Sequence, residues 1–548
     1  MLVKSPLFAS LCSAILLILC WPTWGIPIWS FFALIPLFII EDRTRKDHKS
    51  FKKLRFFLLC YLTFLLWNLG TTWWIINATV FGMVFAVLCN SLFFALLFLF
   101  FYWAKSRSSP KLAYLFLISL WLCFEKLHLH WDLSWPWLNL GNVFSEWIWM
   151  IQWYEFTGVF GGTLWILILN VWFYEVFKKV SLEFDVKKMV KQSIFPISFI
   201  FIPCLISLFM YTRSENQVEE VRVLLLQPNI DSYDDKYSQS NLEFLDLLAE
   251  MTYQELSNGY DIVVTPETYF AEGNGEPMEH FPLSDIYNHL LNYLSAYPNT
   301  QLLSGFQFYR TYKTQQRPHL SSHWLRDSLW VDFYNSAIDL QWGFPIEYYH
   351  KSKLVVGVEN LPFKKIIRPL FGDALINLGG TIVSRTTQKD RSVFSHGTKR
   401  INSGPIICYE SIYGEFVTGY IRNGANLLAV LTNDSWWGKT PGHKQLLSYT
   451  RLRAIETRRN IIRSANTGIS AIIDSKGRIT SQLDYNQKGI LTGKAYTSDK
   501  KTFYVTYGDY LYRISGLVLL LIALHLFSIE LKKINFRKKN AKVPSGTR

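Results

Sequence analysis

Apolar residues gather in long unbroken runs at both ends of the chain and in short, punctuated runs between them. The long runs are Leu7–Trp21, Ile26–Ile40, Phe56–Asn77, Thr79–Trp103, Leu112–Leu127, Thr163–Phe177 and Ser193–Tyr211, with Leu511–Ile529 near the C-terminus. Crossing a hydrocarbon core as a helix takes about 20 mostly apolar residues, so these runs predict eight membrane helices. Leu7–Trp21 reads as a retained helix, because Trp21-Pro22-Thr23-Trp24-Gly25 supplies no small-residue cleavage site.

From Val221 the pattern changes to short strands and helices. Val221–Leu226, Asp261–Thr265, Leu302–Gly305, Asn335–Leu340, Pro405–Cys408 and Leu427–Leu431 are brief apolar runs, read as strands. Asn241–Leu256 carries Leu242, Leu245, Leu248 and Met251 at helical spacing, and Lys444–Arg459 reads as a polar, basic helix. Ile469–Asp474 and Arg478–Ser481 flank Ser475-Lys476-Gly477 as a hairpin. Strands buried on both faces and alternating with helices predict a layered α/β fold. The expected division is a seven-helix membrane domain over 1–212, an α/β domain over 213–509, and a last membrane helix with a basic tail over 510–548.

Composition sharpens this picture. Of 548 residues, 50% are hydrophobic and 17% aromatic, too apolar for an ordinary soluble protein. The net charge of +14 does not point to nucleic acid, because the basic residues crowd the ends of the apolar runs. Arg43, Arg45, Lys46, Lys49, Lys52 and Lys53, then Lys105, Arg107 and Lys111, then Lys178, Lys179, Lys187, Lys188 and Lys191, and finally Lys532, Lys533, Arg537, Lys538 and Lys539 all fall on one side if there are eight spans. The positive-inside rule makes that side cytoplasmic and puts the α/β domain outside. Trp131, Trp135, Trp137, Trp147, Trp149 and Trp153 read as an aromatic belt at the bilayer surface. Glu125, near the end of the fifth run, is either a functional carboxylate or a partner for Lys126 or a headgroup.

The chemistry centres on one thiol. Six of the seven cysteines lie in the apolar runs; Cys408 alone lies in the α/β part, at a strand end, where catalytic groups project from open α/β sheets. A lone cysteine is commonly a small core residue, but Glu267 follows another strand end and Lys351 sits in Tyr348-Tyr349-His350-Lys351-Ser352-Lys353. A carboxylate can take a thiol proton, and an ammonium favours the thiolate and steadies the oxyanion formed on an acyl carbonyl. The product of such an attack is a thioester.

Thr265-Pro266-Glu267, Tyr349-His350-Lys351 and Ile407-Cys408-Tyr409-Glu410 resemble the carbon–nitrogen hydrolase (nitrilase) superfamily. With the membrane helices, and with Gln227-Pro228-Asn229, Thr432-Asn433-Asp434-Ser435-Trp436-Trp437-Gly438, Arg453-Ala454-Ile455-Glu456, Arg463-Ser464-Ala465-Asn466-Thr467-Gly468, Tyr507-Gly508-Asp509 and Ser134-Trp135-Pro136-Trp137, the chain resembles the apolipoprotein N-acyltransferase family over nearly its whole length. The resemblance implies an α-β-β-α sandwich with Glu267 as general base, Lys351 as stabiliser of the tetrahedral intermediate and Cys408 as nucleophile. It also implies that Glu359 supports the lysine and that Tyr409 and Glu410 flank the nucleophile. Tyr237 takes the place of the family's functional Trp, and Asn433 and Trp436 are candidates for substrate binding. Lys351 is preferred over Lys353 for its preceding Tyr349-His350 and its spacing to Glu359. After the lysine, Leu354-Val355-Val356-Gly357-Val358-Glu359 departs from the family's Leu-Val-Pro-Phe-Gly-Glu, so the local turn should differ.

The implied reaction moves an acyl chain from a phospholipid to Cys408 and then to the α-amino group of the diacylglyceryl-cysteine of an apolipoprotein. Rival readings are a membrane amidase that releases the acyl group to water, and a lipoprotein-binding scaffold without catalysis. The stretch Leu361–Phe371 either lies on the bilayer over the site or packs as a surface segment. No metal-ligand spacing or phosphate-binding glycine loop is present, so neither a metal nor another cofactor is expected. The protein is expected to act as a monomer in the cytoplasmic (inner) membrane, its catalytic domain on the periplasmic side.

Overall fold

A computed structural model gives the fold and describes residues 5–48, 50–183, 186–214, 217–231, 236, 238–360, 362–363 and 384–541. Among the described residues, five helices are long and apolar enough to cross a membrane: Lys52–Asn77, Val80–Lys105, Val159–Lys179, Val190–Thr212 and Tyr510–Ile534. The first expected span is an apolar helix of only 14 residues, Pro6–Leu19. The second is not one helix. A 3-10 segment, Pro27–Phe31, is followed by a separate helix, Ile35–Lys46. Pro27 and Pro36 each lack an N–H, so each opens a new helical segment instead of continuing an old one. The fifth, Pro110–His128, ends in Glu125, Lys126 and His128, which are buried in protein.

The α/β part holds two sheets. In the first, β1 (Glu220–Gln227), β2 (Ile262–Val264) and β4 (Gln301–Lys313) run parallel, with β6 (Leu329–Leu340) antiparallel to β4. Its edges are β14 (Gly489–Tyr496) beside β1 and β5 (His323–Arg326) beside β6, while β3 (Glu276–Pro277) pairs with β4 and β7 (Glu347–His350) with β6. In the second, β9 (Asn402–Ile407), β10 (Leu427–Thr432) and β11 (Ile461–Ala465) are parallel, with β8 (Phe394–Ser395) at one edge and β12 (Ser470–Ile473) and β13 (Ile479–Leu483) at the other. Strands runs as short as those read from the sequence extend here: β4 and β6 continue as a long ribbon paired through twelve residues each way, from Leu302↔Leu340 to Lys313↔Leu329.

The period of two along a strand explains the layers. Val221, Val223 and Leu225 of β1 face the second sheet, whose Ala429, Leu431, Ile462 and Ile472 point toward them. Leu224 and Leu226 point the other way, under helices Asn241–Leu256 and Asp285–Ser295. Both faces are apolar because both are covered. Helices Gly414–Arg422 and Pro441–Thr457 cover the second sheet's outer face, completing a helix–sheet–sheet–helix sandwich.

Helix Pro441–Thr457, read from the sequence as polar and basic, is buried along nearly its whole length. Its buried charges are matched within the protein. Arg453 donates to Glu456 and to the Ile412 carbonyl, and Glu456 accepts the Val159 N–H at 3.0 Å, where a membrane helix begins. A carboxylate there satisfies an orphan N–H and the positive end of the helix dipole. Within the tryptophan-rich segment, Trp137 departs from the aromatic-belt reading, while Trp149 stays exposed. Trp137 is fully buried and donates to Gln445 at 2.7 Å, and Ser145 bonds Ser448. The segment is a floor between the membrane helices and the sandwich.

Candidate active site

Each reactive group sits just past a strand end of the paired sheets. Glu267 follows β2 in a turn where Thr268 adopts φ 47°. Gly305 of β4 packs against that turn so tightly that a Cβ would stand 2.2 Å from the Pro266 oxygen. Lys351 follows β7, and its N–H donates to the Asn335 carbonyl of β6 at 2.8 Å. Cys408 follows β9, at the first position of a 3-10 turn, with φ 49°. That left-handed conformation is rare for a residue with a Cβ, and such strain concentrates at functional sites.

Two of these side chains, Glu267 and Lys351, join Glu359 in one knot. The Lys351 ammonium lies 2.9 Å from Oε1 of Glu267 and 2.9 Å from Oε1 of Glu359. Asn335, which sequence reasoning did not single out, donates to the same two oxygens at 2.7 and 3.3 Å. The other oxygen of Glu267 accepts the backbone N–H of Asn433 at 3.1 Å. Glu359 accepts the Val355 N–H at 2.9 Å, so the variant turn after the lysine still delivers its carboxylate.

Burial pushes the Glu267 carboxyl up, but Lys351, Lys236 and Asn335 outweigh it and hold the group below the ordinary carboxylate range. Burial likewise opposes the Lys351 ammonium, and Glu267 and Glu359 carry it well above an ordinary lysine. Burial and then Glu267 push the Cys408 thiol far up, against the pull of Lys351. The site therefore rests with an ionised base, a charged lysine and a neutral thiol.

Glu410 serves a different purpose. One oxygen accepts from the Tyr349 hydroxyl and the Ser352 N–H, both at 2.6 Å, and the other from the Ile407 N–H at 2.8 Å. It binds the strand before the cysteine to the loop after the lysine. The ring of Tyr409 stacks on Trp135 at 6.4 Å and crosses Tyr413, turning this face toward the tryptophan floor. Asn433 brings its backbone, not its side chain, to Glu267; its side-chain oxygen accepts from Ser435 and Asn466. Trp436 is half-buried on the turn Ser435–Trp437, whose Trp437 packs on Trp74 and Trp137. Tyr237 lies outside the described residues, as does Leu361–Phe371 apart from Pro362 and Phe363.

Glu125 does not pair with Lys126. It accepts from Trp121, from the Leu140 N–H and from Thr163, tying the tryptophan-rich segment to helices Pro110–His128 and Val159–Glu183. Lys126 turns instead to Asp509 and Glu415. Asp434, at the third polar strand end read from the sequence, is paired with Arg463 at 2.6 Å. One further polar group went unnoticed in the sequence: Lys236, one residue before Tyr237, is buried against Glu267. Only the proximity of Lys236 to a flagged loop hinted at it.

Residues 13–172 match the family described as Apolipoprotein N-acyltransferase N-terminal domain, and residues 222–498 match Carbon-nitrogen hydrolase. The chain is 29% identical over 524 residues to an apolipoprotein N-acyltransferase of Chlorobaculum tepidum, covering 93% of this chain and 94% of that one. It is 30% identical over 407 residues to one from Thermotoga maritima, covering 73% of this chain and 68% of that one. An amidase from Nesterenkonia sp. is similar in structure at TM-score 0.36 and 15% identity, over 55% of this chain and 99% of that one. Matches to both the N-terminal helical part and the α/β part, with one relative aligned almost end to end and another over about two thirds of its length, place this chain in the apolipoprotein N-acyltransferase family.

Proposed function

We propose that the chain performs its family's reaction through Cys408, taking an acyl chain from a phospholipid and passing it to the α-amino group of an apolipoprotein's diacylglyceryl-cysteine. One observation carries the assignment of roles: a cysteine at φ 49° ends a buried strand in the site that holds the Glu267–Lys351–Glu359 knot, on the face that meets the membrane helices. Because the thiol rests neutral, its proton must leave as sulfur attacks. Glu267 takes that proton while the sulfur bonds to the ester carbonyl carbon, and Lys351 balances the oxyanion. Collapse breaks the ester C–O bond, the lyso-phospholipid oxygen takes the proton from Glu267, and a thioester remains on Cys408. The acceptor amine then attacks the thioester carbonyl, Glu267 receives the amine proton, and the Cys408 sulfur leaves and is reprotonated.

Glu359 and Asn335 position Lys351 and Glu267, and Glu410 and Tyr409 position the cysteine turn. Tyr237, Asn433 and Trp436 are assigned to substrate binding on the family resemblance. The catalytic domain, 213–509, stands on the periplasmic side of the inner membrane, with 1–212 supplying seven spans and 510–548 the eighth. The alignment of every basic loop on one side supports that orientation. One chain carries all the groups named, so a monomer suffices.

The test is the intact mass of detergent-purified protein after incubation with phospholipid. Wild type should gain one acyl chain in a hydroxylamine-labile form, and Cys408→Ala should gain none. Glu267→Gln should acylate slower by a factor of about 10²–10⁴, the usual contribution of a positioned base. An equal adduct on Cys408→Ala would overturn the assignment, and phospholipid turnover without any acceptor would favour the amidase reading.

A further inference from the structure

Lys236 stands on the loop after β1 and is 3% exposed. Lysines are almost never buried so completely without a charged partner, because the ammonium loses its hydration. The same loop offers an easier place: Asp231 and Ser238 on either side are exposed. Instead the Lys236 ammonium donates to the backbone carbonyl of Glu267 at 3.2 Å, and its own N–H donates to the Asp231 carbonyl at 3.1 Å. The groups facing it come from four other segments: Glu267 after β2, Cys408 after β9, Lys351 after β7, and Arg385.

Counting charge shows what is missing without it. Glu267, Lys351 and Glu359 together carry one net negative charge, which the nearby Arg385 offsets. A thiolate or oxyanion at Cys408 would leave the group negative again, in a buried place where like charges repel far more strongly than in water. Glu410 and Asp434 do not alter the need, since each is held in its own network, Glu410 by the donors around β9 and Asp434 by Arg463. Lys236 supplies the one further positive charge that balances the group as the reaction proceeds.

We propose that Lys236 is a positioning residue for this acyl transfer: its ammonium clamps the Glu267 turn and supplies the positive charge that lets Glu267 and Glu359 stay ionised together while negative charge develops at Cys408. The inference rests on the assignment of Cys408 and Glu267 above. It has a distinctive pH signature. Burial holds the Lys236 ammonium down at about 8, with Glu267 and Cys408 resisting and Arg385 and Lys351 adding to the fall. Above about pH 8 the lysine sheds its proton and the compensating charge disappears. Lys236 also helps hold the Glu267 carboxyl low, so removing it raises that carboxyl and makes Glu267 lose its basic form at a higher pH.

The experiment measures the rate of hydroxylamine-labile acylation by phospholipid vesicles against pH, with thermal midpoints alongside, for wild type, Lys236→Met and Lys236→Arg. Wild type should slow as pH rises through about 8. Lys236→Arg keeps a charge at every pH and should lose that basic limb. Lys236→Met should be slower by about tenfold, the equivalent of one pK unit of lost interaction, with its acid limb moved to higher pH. A Lys236→Met enzyme that acylates with the wild-type rate and pH profile overturns the inference alone. So does one that is slower only in proportion to its lost thermal stability, or a Lys236→Arg enzyme that keeps the basic limb. A wild type that forms no adduct overturns the acyl-enzyme assignment and this inference together.

Discussion

At the scale of single residues, Cys408 combines chemistry with backbone strain. Its φ of 49° lies in the left-handed region, which costs a residue bearing a Cβ roughly 1–2 kcal/mol and costs glycine almost nothing. Two inactive variants separate the strain from the chemistry. Cys408→Gly should unfold at a higher temperature than Cys408→Ala, by the equivalent of about 1 kcal/mol, although glycine is ordinarily the less stable choice. Thermal melts in one detergent would read this directly, and an alanine variant as stable as the glycine one would show that the turn is unstrained. Glu267 and Lys351 depend on each other in a different way, since each sets the other's charge state across 2.9 Å. Glu267 is held low, so the base should stay active to a lower pH than a free glutamate would, and acylation should fail only as pH drops through that lowered value. Any stability it contributes follows the same sign, present above the ordinary carboxylate pKa and lost on acidification.

At the scale of elements, the sandwich is joined to the bundle by buried charge as well as by apolar contact. Lys126, at the end of helix Pro110–His128, reaches Asp509, which precedes the last membrane helix, and Glu415 of helix Gly414–Arg422. The Tyr504 hydroxyl completes the cluster by donating to Asp509 at 2.6 Å. Lys126→Met should destabilise the protein by about 3 kcal/mol, because it strands a buried carboxylate without its counter-ion. A double variant, Lys126→Met with Asp509→Asn, should recover much of that loss. Differential scanning fluorimetry of the four combinations would measure the coupling, and a single variant as stable as wild type would show that the cluster does not bind the parts together.

At the scale of the whole molecule, the sandwich packs on tryptophans contributed by the helical part. Trp137 packs with Trp74 and Trp437, and the Trp135 ring lies parallel to Trp137 at 5.4 Å. An acyl chain rising from the bilayer toward Cys408 would meet aromatic faces along this route, and water would be excluded from the thioester. Orientation gives the prediction at this scale. With eight spans, a reporter fused after Arg548 should be active only in the cytoplasm, and a cysteine placed at exposed Tyr253 should react with a membrane-impermeant maleimide in intact cells. Labelling of that position only after the cells are opened would reverse the orientation.

The amino-acid sequence by itself determined the strand-and-helix texture after Val221, the polar residues at three strand ends and the separation of membrane from catalytic parts. These follow from local quantities: a period of two or 3.6, a run length, and side-chain chemistry. Helix Asn241–Leu256 was readable to its boundaries for that reason, with a Ser240–Glu243 capping box at its start. Tertiary structure alone decided which distant groups meet. Asn335 reaches Glu267 across 68 residues and Trp137 reaches Gln445 across 308, and no local pattern encodes either encounter. The same holds for helix Pro441–Thr457 and its C-cap, read as polar and basic, whose Arg453 and Arg458 are buried because Glu456, Glu155 and backbone carbonyls receive them. Whether a charge lies in water or in the interior depends on what the rest of the chain brings to it.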